Sequence, residues 1–486
     1  MLDSKEQVRE VGYVTRAKSY VFFVEGLPSA RINDIIVDEE GNRALVQAFS
    51  DTNLVALALD PVQVRAGTRF GLSQHPYQLS VGEHLFGRVI NALGEAIDRG
   101  KAFPPGNVPF QFDADAPGID KRVPVKEQLY TGCTLVDTLL PVAKGQRQLI
   151  FGGDRAGKTS FLIDVVRHQS QEDHISIYVL IGKSQSELRR VASAIFDSTN
   201  STKTIVVAAL SGQLPPRIAI APAIAYTIAE HFQRQGKDVL IILDDLDAHA
   251  KYLREIALME ERLPGRESYP GDLFYQQAHL MERSGTFVES AGGGSITTFP
   301  VVATDIESFS SIIPTNLMSC TDGHLLFLPE LQGEGVYPAI SIERSVTRMG
   351  RQAQTLTQRQ LSSQVRLLLG RYRQQRDYAE FSVNLKEEAR AALRLGEVLE
   401  AVIRQEPSQT IPVDVQVPLV ALTLTSLMKS RDVNFFLKNK NALRDAIQEH
   451  VGLQELRAHA KEGIPLEAYL ALVEAKREIF EKVCRE

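Results

Sequence analysis

Phe151-Gly-Gly-Asp-Arg-Ala-Gly-Lys-Thr-Ser-Phe161 is the stretch on which the reading of this chain turns. Gly152-Gly153-Asp154-Arg155-Ala156-Gly157-Lys158-Thr159 has the spacing of a P-loop, in which successive backbone N–H groups and a helix amino terminus surround a polyphosphate. In that reading Gly152 to Ser160 bind the nucleotide, Lys158 reaches its phosphates and Thr159 ligates magnesium. The competing reading is a glycine-rich turn that matches by chance. The flanks favour the P-loop: the apolar run 148–151 predicts a strand before it, and the residues from Ser160 predict a helix after it.

Outward from the loop, apolar runs at 175–181, 204–209, 239–243, 297–303 and 324–327 are each followed by a helical stretch. That alternation predicts a parallel sheet covered on both faces. Up to residue 79 the sequence instead carries short β-rich runs (20–24, 35–37, 44–49, 54–59) separated by turns such as Asp38-Glu-Glu-Gly-Asn42, the pattern of a small all-β barrel or sandwich. Beyond residue 354, runs such as 385–399 and 465–483 have helical periodicity and few strand formers. The expected organisation is therefore multidomain: a β-barrel over 1–79, an α/β P-loop nucleotide-binding domain over 80–354 and an α-helical domain over 355–486. At 486 residues the chain has length enough for three cores.

A second chemical feature is the apolar run Val239-Leu-Ile-Ile-Leu243, which ends in Asp244-Asp245. At the carboxyl edge of a parallel sheet, Asp244 is placed to hold magnesium through water; the alternative is a cap for the next helix. Asp247 and His249 are expected on the solvated face of that helix, without a role. The net charge of −6 supplies no cation excess for a nucleic-acid backbone, so nucleic acid is not an expected partner. The amino-terminal residues are charged where a secretion signal is apolar, and the longest uncharged runs (218–229, 417–428) are shorter than a membrane helix needs. Cys133, Cys320 and Cys484 have neither redox nor zinc spacing and are expected as reduced thiols.

Longer stretches carry a resemblance. Leu243-Asp-Asp-Leu246, Leu263-Pro-Gly-Arg-Glu-Ser-Tyr-Pro-Gly-Asp-Leu-Phe-Tyr275 with Met281-Glu-Arg283, Ile313-Pro-Thr-Asn316, Thr321-Asp-Gly323 and Pro338-Ala-Ile-Ser-Ile-Glu-Arg-Ser-Val-Thr-Arg-Met-Gly350 resemble the alpha subunit of F-type rotary ATP synthases, as does Val81 to Gly94. The resemblance implies a β-barrel crown, a RecA-like nucleotide domain and a helical domain. It implies bound ATP or ADP with Mg²⁺, and an alternating ring of three alpha and three beta subunits around a central-stalk gamma subunit, with a peripheral-stalk delta subunit. It also implies a peripheral position on the cytoplasmic face of a bacterial plasma membrane, with membrane contact only through the complex. Catalysis in that family lies in sites borne mainly by beta, which place a glutamate after the strand that follows the P-loop helix. Lys183 stands at that position here, and a cationic lysine cannot accept a proton from water; an exposed loop lysine leads to the same conclusion. Arg348 aligns with the alpha arginine that reaches the neighbouring beta site as an arginine finger, Ser345 with a position required for activity, and Gln405 with a glutamine near the adenine.

The sequence also departs from the family. Asp154 and Arg155 fall where an arginine and a glutamine are usual, Pro407 replaces a second glutamine, and Tyr337 replaces an arginine before Pro338. An acidic segment near the rotating stalk reads Ser382-Val-Asn-Leu-Lys386 here, neutral to basic. The segment before the barrel reads as shorter than the usual extension. The expected function is a regulatory, non-catalytic nucleotide-binding alpha subunit, coupling ATP synthesis or hydrolysis to proton or sodium transport. The alternatives are a structural ring subunit of a divergent rotary or motor ATPase, and a self-sufficient P-loop hexamer. Lys183 speaks against the latter.

Overall fold

Along Val11–Lys18, Gly12 and Val14 face inward while Val11 and Tyr13 face out, the alternation that a strand with one buried face requires. In the computed structural model this strand closes a six-stranded antiparallel barrel. The order is Val11–Lys18, Val21–Glu25, Leu54–Ala58, Arg43–Phe49, Ile35–Asp38 and Arg69–Leu72, which returns to pair with the first strand. Register shifts between Val14 and Arg16 and between Val46 and Ala48 supply the extra twist that closure needs. Phe22 and Phe70 stack in the interior with ring centroids 4.8 Å apart. The turn at 38–42 is closed by Asp38, whose carboxylate accepts from Glu40 N–H and Asn42 N–H. The strands Val11–Lys18 and Arg69–Leu72 are absent from the sequence reading, because polar residues interrupt their apolar pattern.

The structure describes residues 10–50, 53–72, 76–110, 112–197, 203–304, 311–379, 387–429 and 431–484. The segment Ser382–Lys386 lies outside them. The chain divides into two units: one holds residues up to 123 together with 170–321, the other residues 124–169 and 322–486.

The first unit contains the barrel and a parallel sheet in the order Ser295–Ala303, Asp238–Asp244, Ile175–Lys183, Thr204–Leu210, Val89–Asn91. The three central strands are buried on both faces, which is why the sequence reads there as near-continuous aliphatic runs. The helix Pro215–Gln233, opened by its two prolines, packs along this sheet with almost every residue buried. Its Arg217 reaches Asp60, which also takes Arg43 Nε at 2.8 Å and Arg43 N–H at 2.9 Å, so one carboxylate ties a barrel strand to a sheet helix.

The second unit pairs Gln148–Gly152 in parallel with Gly323–Phe327, with Val346–Thr347 antiparallel beyond it. The rest is helical: Leu356–Ala379, Glu387–Ile403, Val413–Leu422, Val433–Glu449, Gln454–Glu462, Leu466–Ala475 and Arg477–Val483 are its main helices. Two of them approach closely at Gly396, where a Cβ would lie 2.1 Å from the Tyr372 ring. Among the described residues no helix is long and apolar enough to cross a membrane.

Asp137, in the short helix Thr134–Leu139, is 3% exposed and accepts from Thr131 N–H and Oγ1 (both 2.7 Å), Gly132 N–H (3.0 Å) and Gln416 Nε2 (2.8 Å). Burial pushes its pKa from 3.8 to about 6 although these donors pull the other way. Between those values the folded state holds a proton that the unfolded chain has released, so this group's contribution to stability falls as pH rises from about 4 to 6. Its contribution is then flat above that window. Urea unfolding across the window should give a difference between wild type and Asp137→Asn that shifts by on the order of 3 kcal/mol. A pH-independent difference would show that Asp137 is already ionised at pH 4.

Candidate functional site

The strand Gln148–Gly152 feeds directly into the phosphate loop, and the helix Lys158–Gln171 begins where the loop ends, at Lys158 rather than at Ser160. Gly152 has φ +146° and lies so close to Phe327 that a Cβ would come 2.1 Å from the Phe327 carbonyl oxygen. Only glycine fits there. Lys158 Nζ donates to the carbonyls of Gly152 and Gly153, each at 2.7 Å, so the ammonium is folded over the loop's own backbone. Ala156 is buried, Gly157 and Thr159 are half-buried, and Ser160 is exposed. Asp154 and Arg155 are both exposed, with Arg155 at φ +60°, and among the described residues no ion pair joins them. The unusual carboxylate is thus turned into solvent, where its repulsion of a polyphosphate is weakest.

In the first unit the strand Asp238–Asp244 ends as the sequence predicts, and the two carboxylates part company. Asp245 is the cap of the helix Leu246–Met259, accepting from Ala248 N–H at 2.8 Å. Asp244 is 4% exposed, takes the Tyr178 hydroxyl on one oxygen at 2.9 Å and lies 3.1 Å from Lys183 Nζ on the other. Lys183 Nζ is also 3.6 Å from Asp245. Burial alone would lower the lysine's pKa, but the charges of Asp244 and Asp245 outweigh it and hold the ammonium above its ordinary value. Burial raises the pKa of Asp245 against the pull of Lys183. Lys183 is therefore no exposed loop residue: it ends the strand Ile175–Lys183 and is followed by Ser184, which caps the helix Gln185–Phe196 in a box with Glu187. The expectation that Asp247 and His249 share a solvated face is corrected for His249. That ring is 6% exposed and bonds the Ala219 carbonyl at 2.9 Å, because the helix Pro215–Gln233 covers it. Asp247 is half-buried and pairs with Lys251.

Arg348 belongs to the second unit and is exposed; among the described residues no carboxylate stands within ion-pair distance of it. Three anchors fix its backbone. Its own N–H donates to Asp322 O at 3.1 Å, and Asp322 is in turn gripped by Arg147 at 2.7 Å. Thr347 Oγ1 donates to Pro141 O at 2.6 Å. Ser345, 7% exposed, accepts from Leu326 N–H through Oγ at 3.0 Å, which fastens the segment to the strand Gly323–Phe327.

Gln405 is 7% exposed, and its side chain is fully engaged within the second unit. Nε2 donates to Gly132 O at 3.0 Å and Gln409 O at 2.8 Å, while Oε1 accepts from Thr134 N–H. Tyr337, next to it through a backbone bond, donates its hydroxyl to Asp164 on the P-loop helix, and Asp164 also accepts from Ser408 N–H at 3.0 Å. Tyr337 and Gln405 line one wall of a cleft of about 390 Å³ with Glu397, Arg404 and Lys440. Sequence reasoning missed Asp164 and Tyr178. The available signal was a polar residue inside an apolar run, Asp164 in Phe161-Leu-Ile-Asp-Val-Val166 and Tyr178, with Ser176, in Ile175-Ser-Ile-Tyr-Val-Leu180.

A parallel-sheet fold with a P-loop, together with a six-stranded barrel and a helical region, defines a class of multidomain nucleotide-binding protein. Comparison with known proteins narrows it. The family model of the ATP synthase alpha/beta family nucleotide-binding domain matches residues 132–347, and the model of the carboxyl-terminal domain of the ATP synthase alpha/beta chain matches 354–467. ATP synthase subunit alpha 1 of Rhodopirellula baltica is 33% identical over 446 residues, covering 91% of this chain and 88% of its own. ATP synthase subunit alpha of Dictyoglomus turgidum is 36% identical, covering 85% and 82%, and that of Macrococcus caseolyticus 34% identical, covering 99% and 96%. The chain belongs to the ATP synthase alpha/beta family, as an alpha subunit of the F-type rotary enzyme.

Ser345→Ala leaves the Leu326 N–H buried without its acceptor, at a cost of about 1–3 kcal/mol. A lowered urea midpoint is expected, together with reduced turnover of the assembled complex. Unchanged turnover would show that the Leu326 contact does not hold the Arg348 segment in register.

Proposed function

We propose that this chain is a regulatory alpha subunit that holds ATP or ADP, generally with Mg²⁺, without cleaving it, and supplies Arg348 in trans to the catalytic site of a neighbouring beta subunit. The observation that carries this reading is Lys183. In-line attack by water on a γ-phosphate needs a group that orients the water and takes its proton. At the position where that base would stand, the chain has an ammonium in contact with Asp244, held above its ordinary pKa. Such a group cannot accept a proton at neutral pH.

The nucleotide is gripped by the backbone of Gly152 to Thr159 and by Lys158, with Thr159 as the magnesium-side hydroxyl. When bound, the metal screens the phosphate charges. Arg348 suits the opposite role, because it is exposed, has no carboxylate partner among the described residues, and has a backbone anchored through its own N–H and through Ser345 and Thr347 before it. An arginine so presented can meet the charge that develops on a phosphoryl group bound by another subunit. The partners in this reading are the beta subunits of an alternating ring, a gamma subunit in the central stalk and a delta subunit in the peripheral stalk. The chain works at the cytoplasmic face of a membrane, peripherally, in coupling ATP turnover to proton or sodium transport.

Assay of the chain alone should give no sustained ATPase activity, and mixing with a beta-type partner should produce it. Arg348→Ala should lower the mixed activity by about 10³- to 10⁵-fold while ATP binding to the isolated chain is unchanged. Vigorous hydrolysis by the chain alone would overturn the reading.

A further inference from the structure

Arg348 is exposed and, among the described residues, has no carboxylate to orient its guanidinium, so its aim depends on the backbone that carries it. That backbone is held by the residues that lead into the phosphate-loop strand, Gln146-Arg147-Gln148. Arg147 N–H and Nε donate to Asp322 Oδ2 at 2.9 and 3.0 Å, and Nη2 donates to Oδ1 at 2.7 Å. Asp322 N–H returns a bond to the Arg147 carbonyl at 2.8 Å. The side-chain part is the two-pronged fork by which a guanidinium fixes a carboxylate in angle as well as distance. The Asp322 carbonyl, so fixed, accepts from Arg348 N–H at 3.1 Å.

Gln148 braces the same segment two residues earlier. It is fully buried, and its Nε2 donates to the Val346 carbonyl at 3.4 Å. Its Oε1 accepts from Gln146 Nε2 at 2.7 Å, and Gln146 Oε1 accepts from Ala143 N–H at 2.8 Å. A Cβ at Gly323 would lie 2.4 Å from the Val346 carbonyl oxygen and 2.6 Å from Gln148 Oε1, so the brace closes only over a glycine. The strand Gln148–Gly152 pairs with Gly323–Phe327 residue for residue without the fork, which stands just before that pairing begins. What the fork adds is the position of the Asp322 carbonyl, and through it that of Arg348.

We propose that Arg147 is a positioning residue for Arg348, acting through its fork with Asp322 to aim the arginine that this chain supplies to its neighbour's site. The proposal rests on the reading of Arg348 as a finger given above, and its consequence is specific. Misplacing a reacting or charge-stabilising group by about 1 Å costs on the order of 10²-fold in rate. The charge that Arg348 meets develops only in the transition state, so the loss falls on kcat and leaves the KM for ATP nearly unchanged.

The test is a double-mutant cycle on ATP hydrolysis by the assembled alpha–beta complex, with wild type, Arg147→Gln, Arg348→Ala and the two combined. Arg147→Gln should lower kcat by about 10- to 100-fold with KM for ATP within about threefold of wild type. In the Arg348→Ala background the same change should cost less than about twofold, because no finger is left to misplace. An equal loss in both backgrounds shows that Arg147 acts on the structure at large, which overturns the proposal and leaves the finger reading intact. Wild-type kcat in Arg147→Gln also overturns it. Wild-type kcat in Arg348→Ala overturns the finger reading itself, and the proposal with it. Where Arg147→Gln does not assemble, Asp322→Asn, which keeps the backbone bonds and one acceptor oxygen, carries the same cycle with the same expected losses. Failure of both variants to assemble shows a purely structural role and overturns the proposal.

Discussion

One ammonium between two buried carboxylates is the contact on which the proposed role of this chain rests. Asp244 and Asp245 end the central strand of a parallel sheet, where burial makes uncompensated charge expensive. Lys183 compensates them from the adjacent strand. The same lysine stands where the resemblance places a catalytic base. In the proposed reading the chain grips a nucleotide that it does not cleave.

The phosphate loop and Arg348 carry the other half of that proposal. The phosphate loop is built in detail, with Gly152 pressed against the Phe327 carbonyl and Lys158 folded over two loop carbonyls. In the same unit, three backbone and side-chain anchors present an exposed Arg348. Holding and presenting are the two roles proposed for this subunit. Relatives named as ATP synthase alpha subunits align with it over most of both chains.

Much of the architecture was legible because it follows from local constraints. The P-loop needs glycine and lysine at fixed spacing, buried parallel strands read as aliphatic runs, and Lys183 could be placed opposite a missing base by resemblance alone. What was not legible depends on residues far apart in the sequence. His249 looks like a solvated helix residue until the helix Pro215–Gln233 covers it. Gln405 reads as a ligand contact until its amide is found tied to Gly132, Thr134 and Gln409. The contest for Asp244 required Tyr178, 66 positions earlier, and Lys183 together. The strand Val11–Lys18 was missed for a different reason: Thr15, Arg16 and Lys18 interrupt its apolar pattern.

The most direct measurement follows the fate of ATP on this chain while the ring turns over. The assembled alpha–beta complex is loaded with a photoreactive, radiolabelled ATP, excess unlabelled ATP is added, and the nucleotide is crosslinked after many turnovers. Label crosslinked to this chain should still be the triphosphate, while label on the partner should have become diphosphate. Diphosphate formed on this chain at the rate of turnover would contradict a subunit that holds nucleotide without cleaving it.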